Sequence, residues 1–447
     1  GWSGVTTGYS DIGWGTPASA GLGIGVQLRL WSQSNFGQNL VLNPRGGALY
    51  YWVVDNSPNT FNRAQQLIST NTNTPGGGLY PWQSDADCPK VCNYVLVSDA
   101  SRFVIAMGVN GYTTDTDPNT QDPLLIRWSD QESVLTWTPS VTNQAGSYRL
   151  SQGSQIITAM QTRQEILIFT DLALYSMQYI GAPYVWSFQP MGSNISVISP
   201  NAVVTANNMT YWMGIDKFYV YSGKVDTLPC ALRRDIFDNL NASQAAQIFA
   251  GVNEGFNEIW WFYPSANSTY NDRYVVYNYL EQVWHYGTID RTSWLDSHIR
   301  TYPLATTNNH LLLQEFGVDD AFDPNDPQPI ESYITTADFD IGEGEQFSFV
   351  KRLIPDVDFI WSQTETPSVD FTLAVRNFPG QGMFTHENIS ETDGVRGATI
   401  QIYDYTHQHW LRLRGRQVAF KIGSNALGVK WQLGVPRIQI QPDGTKT

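Results

Sequence analysis

Three cysteines in 447 residues are too few for a disulfide framework, so packing and hydrogen bonding must hold this chain together. Charge is scarce too. Only 15% of residues are Asp, Glu, Lys or Arg, which implies that much of the surface is covered, by the chain itself or by neighbouring subunits. A basic excess is absent: the formal net charge is −15. A protein that grips DNA by neutralising phosphates needs the opposite sign, which excludes a sequence-reading DNA binder on charge grounds. An acidic wall suits nucleic acid that slides past without sticking, and solubility is the plainer consequence of the same charge. No apolar run approaches the length of about 20 residues that spans a bilayer as a helix, and no signal peptide is visible. The chain begins at Gly1 without a Met, which leaves room for a further N-terminal piece.

Groups that do chemistry are also sparse. The six histidines are His285, His298, His310, His386, His407 and His409, and none forms a helical metal-binding pair. His407 and His409 would share one face of a strand, without a third ligand at suitable spacing. Cys88 and Cys92, in Cys-Pro-Lys-Val-Cys, read as a local disulfide, half a metal site, or two unpaired thiols in a surface loop. Cys230 reads as a small buried hydrophobe. There is no Gly-x-Ser-x-Gly elbow, P-loop or dinucleotide fingerprint. The expectation is therefore a non-enzyme with no catalytic, cofactor-binding or metal-ligating residues and no cofactor.

What the chain has is aromatic rings: 16 Trp, 23 Tyr and 20 Phe, among many Gly, Pro, Asn and Thr, a mixture that favours β-structure. Asn201–Pro229 is its clearest unit. Val203–Ala206, Thr210–Met213, Phe218–Tyr221 and Lys224–Leu228 are four β-prone runs split by short turns, which predicts an antiparallel meander. Such a meander cannot bury both faces alone. Runs resembling its second strand start at 49, 103, 166, 210, 259 and 311. Most have an upstream strand (Tyr94–Val97, Ile156–Ala159, Ile248–Ala250) and a downstream one (Leu124–Trp128, Leu174–Met177, Tyr274–Tyr277). A fourth run often follows, as in Val134–Trp137, Tyr184–Phe188 and Gln282–Tyr286. Four strands per period of about 50 residues is the pattern of a β-propeller blade, and six units predict a six-bladed propeller. A pair of β-sandwiches with evenly spaced strands is the alternative this spacing leaves open. Trp212 and Tyr219 read as inter-blade core, and Gly214 and Gly223 as turn positions.

Three regions complete the expected organisation. Residues 1–27 read as an extended N-terminal arm. The propeller covers 28–337, with an insertion around 56–92 in which Asn62–Ser69 suggests a short helix. Leu232–Leu240 and a capping box at Asn241 and Gln244 suggest two more short helices. Asp338–Gly344 reads as a linker, and 338–447 as a C-terminal antiparallel, sandwich-like β domain. That domain carries Lys351, Arg352, Arg376, Arg412, Arg414, Arg416, Lys421, Lys430 and Arg437. A solvated face is the ordinary meaning of such a set; contact with an acidic neighbouring subunit or with a DNA backbone is the other. The fold class expected is all-β throughout.

Propellers include glycosidases, so a carbohydrate-binding or glycoside-cleaving propeller involved in receptor recognition is the alternative function. The segment closest to a sialidase-type Asp box, Ser129–Trp137, lacks the Gly and occurs once. Adjacent strand residues face opposite sides, so one of Trp260 and Trp261 must be core.

Several stretches resemble a known family, the tail nozzle, tail-hub or tail-stabilisation proteins of short-tailed bacteriophages. They are Leu125-Ile-Arg-Trp-Ser-Asp-Gln-Glu132 through Trp137-Thr-Pro139 to Asn143-Gln-Ala-Gly146, Glu165-Ile-Leu-Ile-Phe-Thr-Asp171 with Tyr179-Ile-Gly-Ala-Pro183, Tyr211–Gly223, Arg273–Tyr279 with Trp284, and the ending Trp431–Gly444. Together they run from about residue 90 to the end; the arm and the 56–92 insertion are not covered. The resemblance implies a structural virion protein that assembles as a homo-oligomeric ring, typically of six copies, below the phage portal and adaptor. Its lumen would pass genomic DNA without sequence-specific binding, and its outside would hold tail fibres or spikes.

Overall fold

The computed structural model describes residues 28–54, 64–67, 84–297, 300–307, 310–320, 323, 325–340, 345–378 and 396–444. The arm expected at 1–27 lies outside these. The chain divides into two compact units, one ending at Gln314 and the other starting at Glu315.

The first unit is a six-bladed β-propeller. Its sheets take their strands in chain order, each strand antiparallel to the next. Blade 1 is Trp31–Phe36, Asn39–Pro44, Tyr50–Trp52 and Gln65–Gln66; blade 2 is Tyr94–Val97, Val104–Asn110, Gln121–Trp128 and Gly146–Arg149. Blade 3 is Ile156–Gln161, Ile166–Thr170, Ala173–Gly181 and Val185–Ser193. Blade 4 is Val203–Ala206, Met209–Met213, Phe218–Tyr221 and Val225–Leu228. Blade 5 is Phe249–Asn253, Glu258–Tyr263, Arg273–Asn278 and Val283–Thr288. Blade 6 has three described strands, Ser293–Leu295, Leu304–Thr307 and His310–Leu313. From blade 1 to blade 6, each first strand lies beside the next, which places the first strands nearest the axis.

Blade 4 shows why the sequence folds this way. Asn207 and Asn208 both take left-handed backbone (φ 49° and 60°) and close its first hairpin, and Gly223 (φ 95°) sits in the last turn. Alternation then sends Trp212 and Tyr219 to one face, where their rings stack 5.2 Å apart and Trp212 meets Phe169 of blade 3 edge-on at 5.1 Å. Tyr211, Met213 and Phe218 share a second core with Trp261, Tyr263 and Tyr277 of blade 5. Both faces of the blade are core, so it is stable only between neighbours. Blades 5 and 6 meet differently. Gly251 carries no Cβ, Trp294 of blade 6 lies against it, and the Trp294 indole donates to the Val252 carbonyl at 2.8 Å.

Several expectations are corrected. Tyr50–Trp52 and His310–Leu313 are third strands, because an earlier hairpin precedes each in its blade. Val134–Trp137 is no strand; the fourth strand of blade 2 is Gly146–Arg149, and Trp137 plugs the core instead. Within Asn62–Ser69, Gln65–Gln66 pairs as a strand with Tyr50 and Tyr51 and Leu67 is core, while 62–63 and 68–69 lie outside the described residues. The tail of the 56–92 insertion is core, since Cys88 and Cys92 pack with Val41, Leu49 and Trp137. The two short helices exist as an α-helix, Arg233–Asp238, and a 3-10 helix, Ala242–Gln247. The Asn241 side chain caps the second through Ser243 N, and the Gln244 side chain is bonded to Gln247, so only half of a capping box forms.

The second unit starts before residue 338. Ser332–Thr335 and Phe339–Asp340, read as propeller and linker, both pair with Gln417–Ser424. That strand continues to Ser368–Arg376 and then Arg396–Tyr403. A separate three-stranded sheet runs in the order His409–Gly415, Ser348–Ile354, Arg437–Pro442. Phe371, Leu373, Ile400 and Val418 from the first sheet share one core with Val350, Leu353, Leu411 and Leu413 from the second, which makes the unit a sandwich.

Candidate interaction surfaces

Most of the residues singled out for chemistry are structural. Trp261 is fully buried and Trp260 only partly so. Trp260 is stacked between Trp294 (5.5 Å) and Tyr274 (4.7 Å), and its indole donates to Glu258, which also lies 3.4 Å from His285. In Ser129–Trp137, the Ser129 hydroxyl accepts from Val104 N, and Asp130 accepts from Gln131 N and Gln144 N. His407 and His409 are exposed, and only His409 belongs to a strand. Cys88 and Cys92 are free and buried, so the surface-loop reading is wrong; burial pushes both thiols up to about 12. Cys230 is half-buried and pushed up to about 11, again by burial. Among the described residues, no three His, Cys, Asp or Glu side chains are placed to hold a metal ion. No described helix is long and apolar enough to cross a membrane.

One polar cluster was missed in the sequence. Arg127, from the resembling stretch Leu125–Glu132, is fully buried in blade 2. Its guanidinium donates to the carbonyls of Asn110 and Gly111 and, very closely, to that of Asp87, and it lies 4.0 Å from the Tyr112 ring centroid. Burial works against the Asp87 charge. Hydrogen bonds from Thr113 N, the Thr113 hydroxyl and the Thr138 hydroxyl outweigh it, with help from Arg127, and hold the carboxyl below its ordinary range. This network ties Ser84–Cys92 to blade 2. A charged residue amid the apolar Leu124–Trp128 was the available signal. Glu165 similarly bridges two blades. It accepts from Ser176 and Gln178 of blade 3 and, at 2.7 Å, from the Tyr221 hydroxyl of blade 4; burial and then Glu165 raise that phenol.

Exposed apolar side chains lie at the rims of the propeller. In a blade, the first-to-second and third-to-fourth turns share one rim, and the second-to-third turns lie on the other. The first rim presents Val141, Ile180, Tyr184, Phe256 and Leu280, with Tyr184 77% exposed. The other presents Leu172, Ile215 and Tyr270, all exposed. Large apolar tips are thus exposed on both rims.

The second unit presents a third surface. Along His409–Gly415, Leu411 and Leu413 point into the core, while Trp410, Arg412 and Arg414 are exposed. A bulge between Val350 and Arg352 lets Lys351 and Arg352 both stay outside the core. Arg352 pairs across the sheet with Trp410 on one side and Gln439 on the other. Lys351 and Arg352 lie 5.8 and 5.6 Å from the Trp410 ring centroid. Arg414 is neutralised by Asp443. Of the basic residues expected on this domain, Arg376 instead pairs with Asp338 at 3.2 Å, both largely buried.

No family model and no curated protein sequence matches the chain. Its fold is similar to solved propeller structures. Kluyvelomyces marxianus Hsv2 aligns over 63% of this chain and 71% of its own, at 8% identity and TM-score 0.35. The AfRom2 CNH domain aligns over 62% and 76%, at 9% identity and TM-score 0.33. An exo-beta-1,3-galactanase from Phanerochaete chrysosporium aligns over 92% and 95%, at 7% identity and TM-score 0.23. At such identities and scores the likeness says nothing about ligands or activity.

Proposed function

We propose that this chain is a structural subunit of an oligomeric hub, of the kind that the tail nozzle proteins of short-tailed bacteriophages form below the portal and adaptor. The observation that carries this reading is the presence of large apolar side chains on both rims of a rigid disc. A free-standing propeller gains nothing from Tyr184, Leu280 and Ile215 in water, whereas a disc stacked between partners buries them. The shared inter-blade cores give the rigidity a conduit needs, because blades 3, 4 and 5 cannot separate without exposing aromatic surface. The net charge of −15 suits a lumen that passes DNA without holding it. Partners would be further copies, typically six, the portal and adaptor, and tail fibres or spikes; the location would be the virion tail, assembled in the host cytoplasm.

The test is immunogold labelling and mass spectrometry of purified virions. The expected result is label confined to the tail and the chain present in several copies per particle. Virions that lack the chain would sink the reading.

A further inference from the structure

The second unit separates its charges along the chain. From Glu315 to Val350 there are ten acidic residues and no Lys or Arg; from Tyr405 to Pro442 there are six Lys or Arg and no Asp or Glu. Part of this charge is used internally: Asp319 accepts from Gly428 N, and Asp338 pairs with Arg376. Lys351, Arg412 and Arg437 have no carboxylate in ion-pair contact among the described residues. Asp323 and Asp326 are exposed, with the apolar Ile330, Tyr333 and Ile334 exposed nearby in sequence.

We propose that the outer face of the sheet His409–Gly415, Ser348–Ile354, Arg437–Pro442 binds the acidic segment around Asp323 and Asp326 of a second copy of this chain. The face has the make-up of an interface centre: Trp410, 57% exposed, flanked by Lys351 and Arg352, with Arg412 and Arg437 on the flanking strands. Trp and Arg are the side chains that contribute most when such a face is desolvated. The acidic segment supplies the matching carboxylates and apolar side chains. Nucleic acid is disfavoured as occupant because the whole chain, at −15, repels it. Two different patches meeting head to tail form a heterologous contact, which closes into a ring when the rotation allows. The inference rests on the oligomeric hub proposed above and names the surfaces that join its copies.

A charge swap tests it, read by sedimentation velocity of the full chain at low and high salt, with circular dichroism as the folding control. Arg412→Glu with Arg437→Glu should weaken self-association by about tenfold or more, and so should Asp323→Lys with Asp326→Lys, since like charges then face each other. The chain carrying all four changes should associate again to within about threefold of the wild type, because each patch now meets its opposite. Failure of that rescue in a folded chain overturns the proposal. Self-association unchanged by every swap overturns this pair of surfaces while leaving the hub intact, and a chain monomeric at all concentrations overturns the proposal outright. Binding of a single-stranded oligonucleotide that is lost in Arg412→Glu with Arg437→Glu, while self-association is unaffected, would assign the face to nucleic acid instead.

Discussion

The two units use aromatic rings in opposite ways. In the propeller the largest rings are inside: Trp137, Trp212 and Trp261 are fully buried between or within blades. In the second unit the core is chiefly Val, Leu and Ile, with Phe347 and Phe371 buried as well, while Trp410 and Tyr333 stand outside with cations beside them. Trp410 lies by Lys351 and Arg352, and Tyr333 by Lys421. Neighbouring blades diverge from the axis, and flat, wide side chains fill the widening gap with few lost contacts. A sandwich keeps its sheets at a nearly even separation, which branched aliphatics fill well. The difference teaches that an aromatic count alone does not locate a binding face: the buried propeller rings hold sheets together, whereas Trp410 faces water.

Substitutions can break or sharpen that contrast. Trp212→Ala should be the most costly, at about 3–5 kcal/mol by denaturant unfolding, because it empties the seam between blades 3 and 4. Asp87→Ala should follow at about 2–3 kcal/mol, since it leaves the Thr113 and Thr138 donors unmatched and removes a charge partner of buried Arg127. Its pH dependence has a definite sign. The folded carboxyl titrates below its ordinary value of 3.8, so its contribution is full above that value and is lost as pH falls through the lower folded value. The stability gap between wild type and Asp87→Asn should therefore narrow in acid. If it stays constant from neutral pH to pH 2, the Asp87 charge is not what holds Ser84–Cys92 to blade 2. Gly251→Ala should cost about 1–3 kcal/mol, because a Cβ there would sit 2.4 Å from the Trp294 ring. Trp410→Ala should change stability by no more than about 0.5 kcal/mol while weakening self-association. A loss of stability as large as that of Trp212→Ala would erase the distinction between the two kinds of ring.

The blades legible in the sequence are those whose turns are short. Blade 4 was read strand for strand, because Asn207-Asn208, Gly214 and Gly223 punctuate four alternating runs. Blade 2 was misread at its fourth strand. Val134–Trp137 has strand composition, yet Asp85 accepts from Trp137 N and Thr138 N and draws the segment into a buried turn. The domain boundary fell too late for a related reason: Ser332–Thr335 pairs with residues about 90 positions away in the chain, and no local pattern records that. The basic residues were visible as a set. That Arg376 is used internally, while Lys351 and Arg352 are brought to Trp410, was not.

Composition and periodicity by themselves determined that this chain is all-β, that its strands come in groups of four, and that its aromatic residues must be covered, because strand alternation and turn chemistry are local properties. Only the tertiary structure decided which rings face a neighbouring blade and which face water, that Cys88, Cys92 and Arg127 lie in the interior, and that one sheet of the second unit gathers Lys351, Arg352, Arg412 and Arg437 on its outer face. Those outcomes depend on which distant strands become neighbours, and a side chain's partners are fixed only when its neighbours are.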